Sequence, residues 1–214
     1  MRNRFDEQLY ELNKKIIEMG AMCEDEISKV ATALSKGDVE LAKNVIHDGS
    51  MIDQMEREIE SRCMKLLLHQ QPVARDLRLI SAALKIITDM ERIGDQAEDI
   101  AEIVVCLQGQ TMECMELVDE MACETTKMVQ RSVDAYVKKD VKLAEEVVAQ
   151  DDIVDDYFSK IKHDIISMIA DKSSDGELAL DFLMITKYFE RIGDHATNIA
   201  EWVIYSVTGT HKEG

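Results

Sequence analysis

The chain has 214 residues with a formal net charge of −18, from 43 acidic against 25 basic side chains. That balance excludes a phosphate-backbone partner and electrostatic adhesion to anionic lipid, and it suits metal cations or basic protein surfaces. Apolar residues make up 46% and aromatics 5%, with one Pro and nine Gly, so Met, Leu, Ile, Val and Ala must pack helix on helix in an all-α fold. The five cysteines, Cys23, Cys63, Cys106, Cys114 and Cys123, form no CxxC pair and read as reduced core thiols. No run approaches the ~18 apolar residues that span a bilayer, and the start leads into no apolar segment, so a cytosolic chain without direct membrane insertion is expected.

In chain order, the first amphipathic stretch runs from about Phe5 to Leu34, with Leu12, Ile16, Met19, Cys23, Ile27 and Val30 at three- and four-residue steps. Lys36-Gly37-Asp38 stops it, and Asp38 is set to cap a second helix that carries Leu41, Val45, Ile52, Ile59, Cys63 and Leu66. That helix ends near His69–Pro72, where Pro72 can open a third at its first position, and the third reaches from about Val73 to Leu107. Gln108-Gly109-Gln110 reads as a linker between a first unit, 1–108, and a second, 109–214.

The second unit repeats the first. Lys139-Asp140-Val141-Lys142-Leu143-Ala144 matches Gly37–Ala42 at an offset of 102, and Asp53 falls on Asp155. Glu91-Arg92-Ile93-Gly94-Asp95 recurs 99 residues later as Glu190-Arg191-Ile192-Gly193-Asp194, with nine of twelve positions identical through Glu102 and Glu201. The three-residue difference in offset fits the hairpin after the second helix, where loops accept deletions. The plan is two tandem three-helix bundles, six long antiparallel helices in all.

At about 100° per residue, Ile86, Met90, Ala97, Ile100 and Val104 cluster within about 60° of Ile93. Glu91, Asp95, Glu98 and Glu102 fall within about 40° of the opposite side, as do Glu190, Asp194, Thr197 and Glu201 relative to Ile192. Like charges one turn apart cost a few tenths of a kcal/mol and a mid-helix Gly about 1 kcal/mol relative to Ala, yet both copies keep both features. Paired carboxylates at this spacing can share a hard or borderline cation such as Mg²⁺, Mn²⁺ or iron. The Gly would admit a neighbouring helix, and Asp53 and Asp155 are placed to bring further ligands. The other reading is a solvated acidic stripe that merely records the duplication. Glu98 ranks lower because its counterpart is Thr197. His195, opposite Gln96 in the repeat, reads as a lone surface histidine, and Arg92 and Arg191 as ion-pair partners of helix neighbours. There is no Gly-rich phosphate loop, no HExxH, no Glu-x-x-His and no Cys–His spacing for zinc. A metal-dependent phosphatase is the alternative class, but no nucleophile or general base accompanies the carboxylates in the sequence.

The segments Gln71-Pro72-Val73-Ala74-Arg75-Asp76-Leu77-Arg78, Asp89–Asp95 and Tyr188–His195 with Asn198–Trp202 resemble the PhoU family of phosphate-uptake regulators, over essentially the whole chain. The resemblance implies a non-enzymatic, cytoplasmic negative regulator of phosphate uptake and of the phosphate-starvation response. Such proteins link the ATPase subunit of the phosphate ABC transporter to a sensor histidine kinase, and they commonly form homodimers. It also implies metal ions or clusters on Glu91/Asp95 and Glu190/Asp194, the identity open among iron, zinc, manganese and magnesium. Two departures, Gln96 against His195 and a QPxxxDLR segment in the first half alone, weaken the expectation that the two sites are equivalent and leave that question open.

Overall fold

Six helices account for the regular structure in the computed structural model, which describes residues 2–70, 73–110, 112, 114–171 and 175–210. They are α1 Arg2–Lys36, α2 Val39–Gln70, α3 Ala74–Leu107, α4 Met115–Lys138, α5 Val141–Ala170 and α6 Gly176–Thr208. At 1.5 Å per residue, α3 and α6 are about 50 Å long. The expected bounds hold to within a few residues. The Gln71–Pro72 turn lies outside the described residues, as does 172–174 in the matching hairpin.

Local chemistry sets the turns. Gly37 takes φ +63°, Asp38 N–H donates to Ala33 O at 2.8 Å, and the Asp38 side chain caps α2 by accepting from Leu41 N–H at 3.0 Å. A Cβ on Gly37 would stand 2.8 Å from Gly109 Cα, so the first unit's turn presses on the inter-unit connection and admits no side chain. The second unit makes the same turn with Lys139 at φ 52°, and Asp140 caps α5 through Leu143 N–H at 3.1 Å. Gln108 and Gly109 both have positive φ, which turns the chain from α3 towards α4.

Within each unit three helices pack together: α3 lies against α1 and α2, and α6 against α4 and α5. The units are also fused to one another. α3 packs along α6, and α1 packs along α4, where Tyr136 Oη donates to Asn13 Oδ1 at 2.6 Å and Ser35 Oγ to Asp119 Oδ2 at 3.1 Å. One apolar cluster runs through all six helices, from Ile16 and Ile52 through Ile93 and Met121 to Val154 and Phe189. Ile86, Met90, Ile93, Ala97, Ile100 and Val104 are all buried, as the helical spacing requires.

Two expectations are corrected. Cys23, Cys63 and Cys114 are buried, with burial pushing their thiols up, but Cys106 and Cys123 are exposed, because they lie on the outer flanks of α3 and α4. His195 is no surface histidine: it is 9% exposed in the α3–α6 seam, with Nδ1 3.0 Å from Asp89 Oδ1. It sits on the flank of α6 that its own unit leaves open and the other unit covers. A helical wheel drawn about Ile192 cannot register a surface supplied by the other repeat.

Candidate metal site on the acidic stripes

The first copy of the repeated word gathers carboxylates from two helices. Asp53 of α2 joins Glu91 and Asp95 of α3, with one oxygen of each lying within 4.8 Å of the others. The approach depends on Gly94, since a Cβ there would meet Ile52 Cδ1 at 3.0 Å, one residue from Asp53. Burial raises the pKa of Glu91 above the usual carboxylate range, and Asp95, Glu56 and Asp53 add to it. Burial and then Asp53 raise Asp95, while Arg92 opposes both shifts. Arg92 thus acts on its helix neighbours by its charge alone, and among the described residues it does not form the expected ion pair within 4.0 Å. Arg57 Nη2 lies 3.6 Å from Asp53 Oδ2 on an exposed side chain, a loose pair of the kind worth at most about 1 kcal/mol.

The stripe continues along α3. Burial raises Glu98 and Asp99, and Glu102 is the first charge to add to each shift. Glu102 itself is exposed and stands outside the three-carboxylate set. Three hard oxygen donors within 4.8 Å of one another, with like charge raising the pKa of Glu91 and Asp95, fit a divalent cation.

The second copy is built differently. Asp155 acts on both Asp151 and Asp194, yet among the described residues only the first copy brings three carboxylates within 4.8 Å of one another. Burial, then Asp194 and Asp155, push Asp151 up to about 6, and burial with Glu190 raises Asp194. Glu190, however, is held by the ammonium of Lys187, which also lies 5.3 Å above the Phe158 ring. Lys187 corresponds to Thr88 of the first copy, so this repeat carries a cation of its own. Glu201 lies further along α6, half-buried.

The sequence reading did not single out Asp151 or Glu26. Asp151 precedes Asp155 by four residues, the same spacing as Glu91 and Asp95, and that was a usable signal. Glu26 interrupts the apolar stripe of α1 between Cys23 and Ile27, and it is 3% exposed. Burial, then Asp48, push its carboxyl up to about 7.

Comparison with known proteins agrees with this architecture. The PhoU domain family matches the chain twice, at residues 16–104 and 118–203. The "Phosphate-specific transport system accessory protein PhoU homolog" of Clostridium acetobutylicum is 37% identical over 210 residues, covering 97% of this chain and 96% of that protein. Its namesake from Pseudomonas aeruginosa is 34% identical, over 97% of this chain and 86% of that protein. The crystal structure of PhoU from Pseudomonas aeruginosa superposes with a TM-score of 0.92 at 34% identity, covering 96% of this chain and all of that one. The phosphate transport system regulatory protein PhoU from Streptococcus pneumoniae also superposes at 0.92, with 27% identity, over 98% of this chain. These names are those of accessory and regulatory proteins, not of enzymes. With its two matched domains and its whole-length relatives, the chain belongs to the PhoU family.

Proposed function

We propose that this protein is the accessory regulator of a phosphate-specific transport system and acts as a metal-loaded adaptor. In this reading it restrains phosphate uptake and the phosphate-starvation response. It does so by docking between the transporter's ATPase subunit and a sensor histidine kinase. It works in the cytoplasm, at the inner face of the membrane through its partners, and as a homodimer. The names of the full-length relatives support the assignment to phosphate transport. Among the described residues no helix is long and apolar enough to cross a membrane, which agrees with attachment through partners. The net charge of −18 favours basic partner surfaces and speeds their encounter.

The observation that carries the metal part is the convergence of Asp53, Glu91 and Asp95 from two helices. Asp155, Glu190 and Asp194 are its counterparts, with Asp151 added. A bound ion supplies fixed positive charge that ties α2 to α3, or α5 to α6. These carboxylates would orient and neutralise it, with Glu102 and Glu201 further along the same stripes. Iron, zinc, manganese and magnesium all accept such oxygen donors, and availability selects among them. An adaptor of this kind switches only if its ligand prefers one docking state, so ion and partner must be linked.

The test joins both parts. Purified protein, loaded with Mn²⁺ or stripped by chelator, is mixed with the transporter ATPase subunit and with the kinase, and complexes are scored by co-purification. Metal-loaded protein should retain both partners, and a Glu91→Ala/Glu190→Ala variant should lose most of its metal by elemental analysis. Failure to retain either partner under any loading would refute the adaptor reading. Unchanged metal content in the variant would refute the placement of the metal.

A further inference from the structure

α1 carries no copy of the repeated word, yet it sends one carboxylate towards the acidic stripe of the first repeat. Glu26 is 3% exposed, and its Oε2 is fully buried without a hydrogen-bond partner. The charges acting on it come from all three helices of the unit: Asp48 on α2, Glu98 on α3, and Lys29 and Asp25 on α1 itself. Lys29, the basic group among them, is already engaged by Asp25 at 2.5 Å and Asp48 at 3.6 Å. A buried carboxylate oxygen with no donor is costly to leave charged, and either a proton or a bound cation relieves that cost.

Gly49 supplies a second, independent sign. It lies within α2, where Gly costs about 1 kcal/mol relative to Ala. A Cβ there would stand 2.6 Å from Glu98 Oε2. The glycine therefore leaves open the space in which the Glu98 carboxylate sits, turned back against α2 rather than outward to water. The second repeat handles the same place by exchange: Asp151 stands opposite Gly49, Thr197 opposite Glu98 and Met128 opposite Glu26. There, Asp151 Oδ1 and Met128 Sδ lie 3.5 and 3.8 Å from a Cβ built on Gly193, the counterpart of Gly94, so one carboxylate and a thioether lie together against α6. At these three positions the first repeat carries two acids, Glu26 and Glu98, and the second carries one, Asp151.

We propose that Glu26 of α1 and Glu98 of α3, across the gap left by Gly49 of α2, hold a divalent cation beside the Asp53–Glu91–Asp95 set and confined to the first repeat. Glu98 follows Asp95 by three residues on α3, so the two positions are neighbours on one helix face. Water fills the remaining coordination sites, as hard divalent ions tolerate. The proposal rests on the reading of the stripe as a metal site, and the experiment separates the two.

Mn²⁺ binding to the full chain is measured by equilibrium dialysis and followed by electron paramagnetic resonance. Wild type is compared with Glu26→Met and Glu98→Thr, each introducing the residue the second repeat already uses. Each variant should bind about one Mn²⁺ fewer per chain with the helical circular dichroism unchanged. If wild type binds Mn²⁺ and both variants bind the same number, Glu26 is neutralised by a proton alone and this inference is overturned, with the stripe's metal site intact. If wild type binds none, both readings fall together. Should the buried Glu26→Met substitution prevent folding, Glu98→Thr at its half-buried position decides the matter.

Discussion

At the scale of single residues, the two repeats meet through matched but inverted polar contacts. Asp89 of α3 is 6% exposed and accepts from Asn198 Nδ2 at 3.3 Å, beside its contact with His195 Nδ1. The repeat places Tyr188 where Asp89 stands, Asp99 where Asn198 stands and Gln96 where His195 stands. Tyr188 and Asp99 are again hydrogen-bonded to one another, and the acceptor is again on α3, now at the other of the two repeat positions. Both sides of the pseudo-symmetric seam thus take their acceptor from α3 and their donors from α6, while exchanging which repeat position carries the acceptor. Removing the acceptor at 89 strands two donors, one buried on His195 and one half-buried on Asn198. Asp89→Ala should therefore lower stability by about 2–3 kcal/mol in urea denaturation, well beyond the effect of an ordinary surface change. A loss below about 0.5 kcal/mol would show that the seam is held by apolar contact alone.

At the scale of helices, the two glycines of the repeated word do unequal work. Gly94 faces Ile52 with Cβ distances of 3.0 and 3.3 Å to its side chain, so α2 is drawn in against α3 as far as van der Waals contact allows. Gly193 faces Val154 at 3.4 Å, an ordinary contact. Replacing a mid-helix Gly by Ala gains up to about 1 kcal/mol where nothing is displaced. Gly193→Ala should therefore raise the unfolding midpoint, and Gly94→Ala should gain less or lose stability, because Ile52 must shift. Equal gains at both positions would refute the close approach of α2. The helices were legible in the sequence because their apolar positions recur at three- and four-residue steps and their caps, Asp38 and Asp140, are local. The unequal spacing of α2 and α5 was not, since it depends on Ile52 and Val154 lying across the gap.

At the scale of the whole molecule, the acidic stripes set the response to pH. Burial holds Glu26 at about 7 and Asp151 at about 6, and it raises Glu91, Asp95, Glu98, Asp99 and Asp194 as well. A carboxyl raised in the folded state binds more protons there than in the unfolded chain. Stability then falls as pH rises from the ordinary carboxylate range through the folded pKa, and it is recovered on mild acidification. Metal-free protein should melt at a higher temperature at about pH 5.5 than at about pH 7.5, the reverse of common acid denaturation. Saturating Mn²⁺ should narrow that difference, because an ion at the stripe supplies at neutral pH what protons supply at low pH, and at about 100 times Kd it adds about 2.7 kcal/mol. Scanning calorimetry at the two pH values, with chelator and with Mn²⁺, reads both effects. A lower melting temperature at the acidic value would contradict the stripe's placement.

The sequence by itself determined the helices, their duplication, the caps and the side of α3 and α6 on which Glu91, Asp95, Glu190 and Asp194 lie. All of these follow from periodicity and from contacts within a few residues. It also placed Asp53 near the first pair, because Gly94 signalled a close neighbour. Only the tertiary structure decided that the two units share one core, that His195 is buried against Asp89 and that Glu26 is buried among charges from all three helices of its unit. Each of those depends on which flank of a helix another element covers. A residue such as His195, about 60° from the apolar centre of its helix, is buried or exposed according to a partner that no local pattern names.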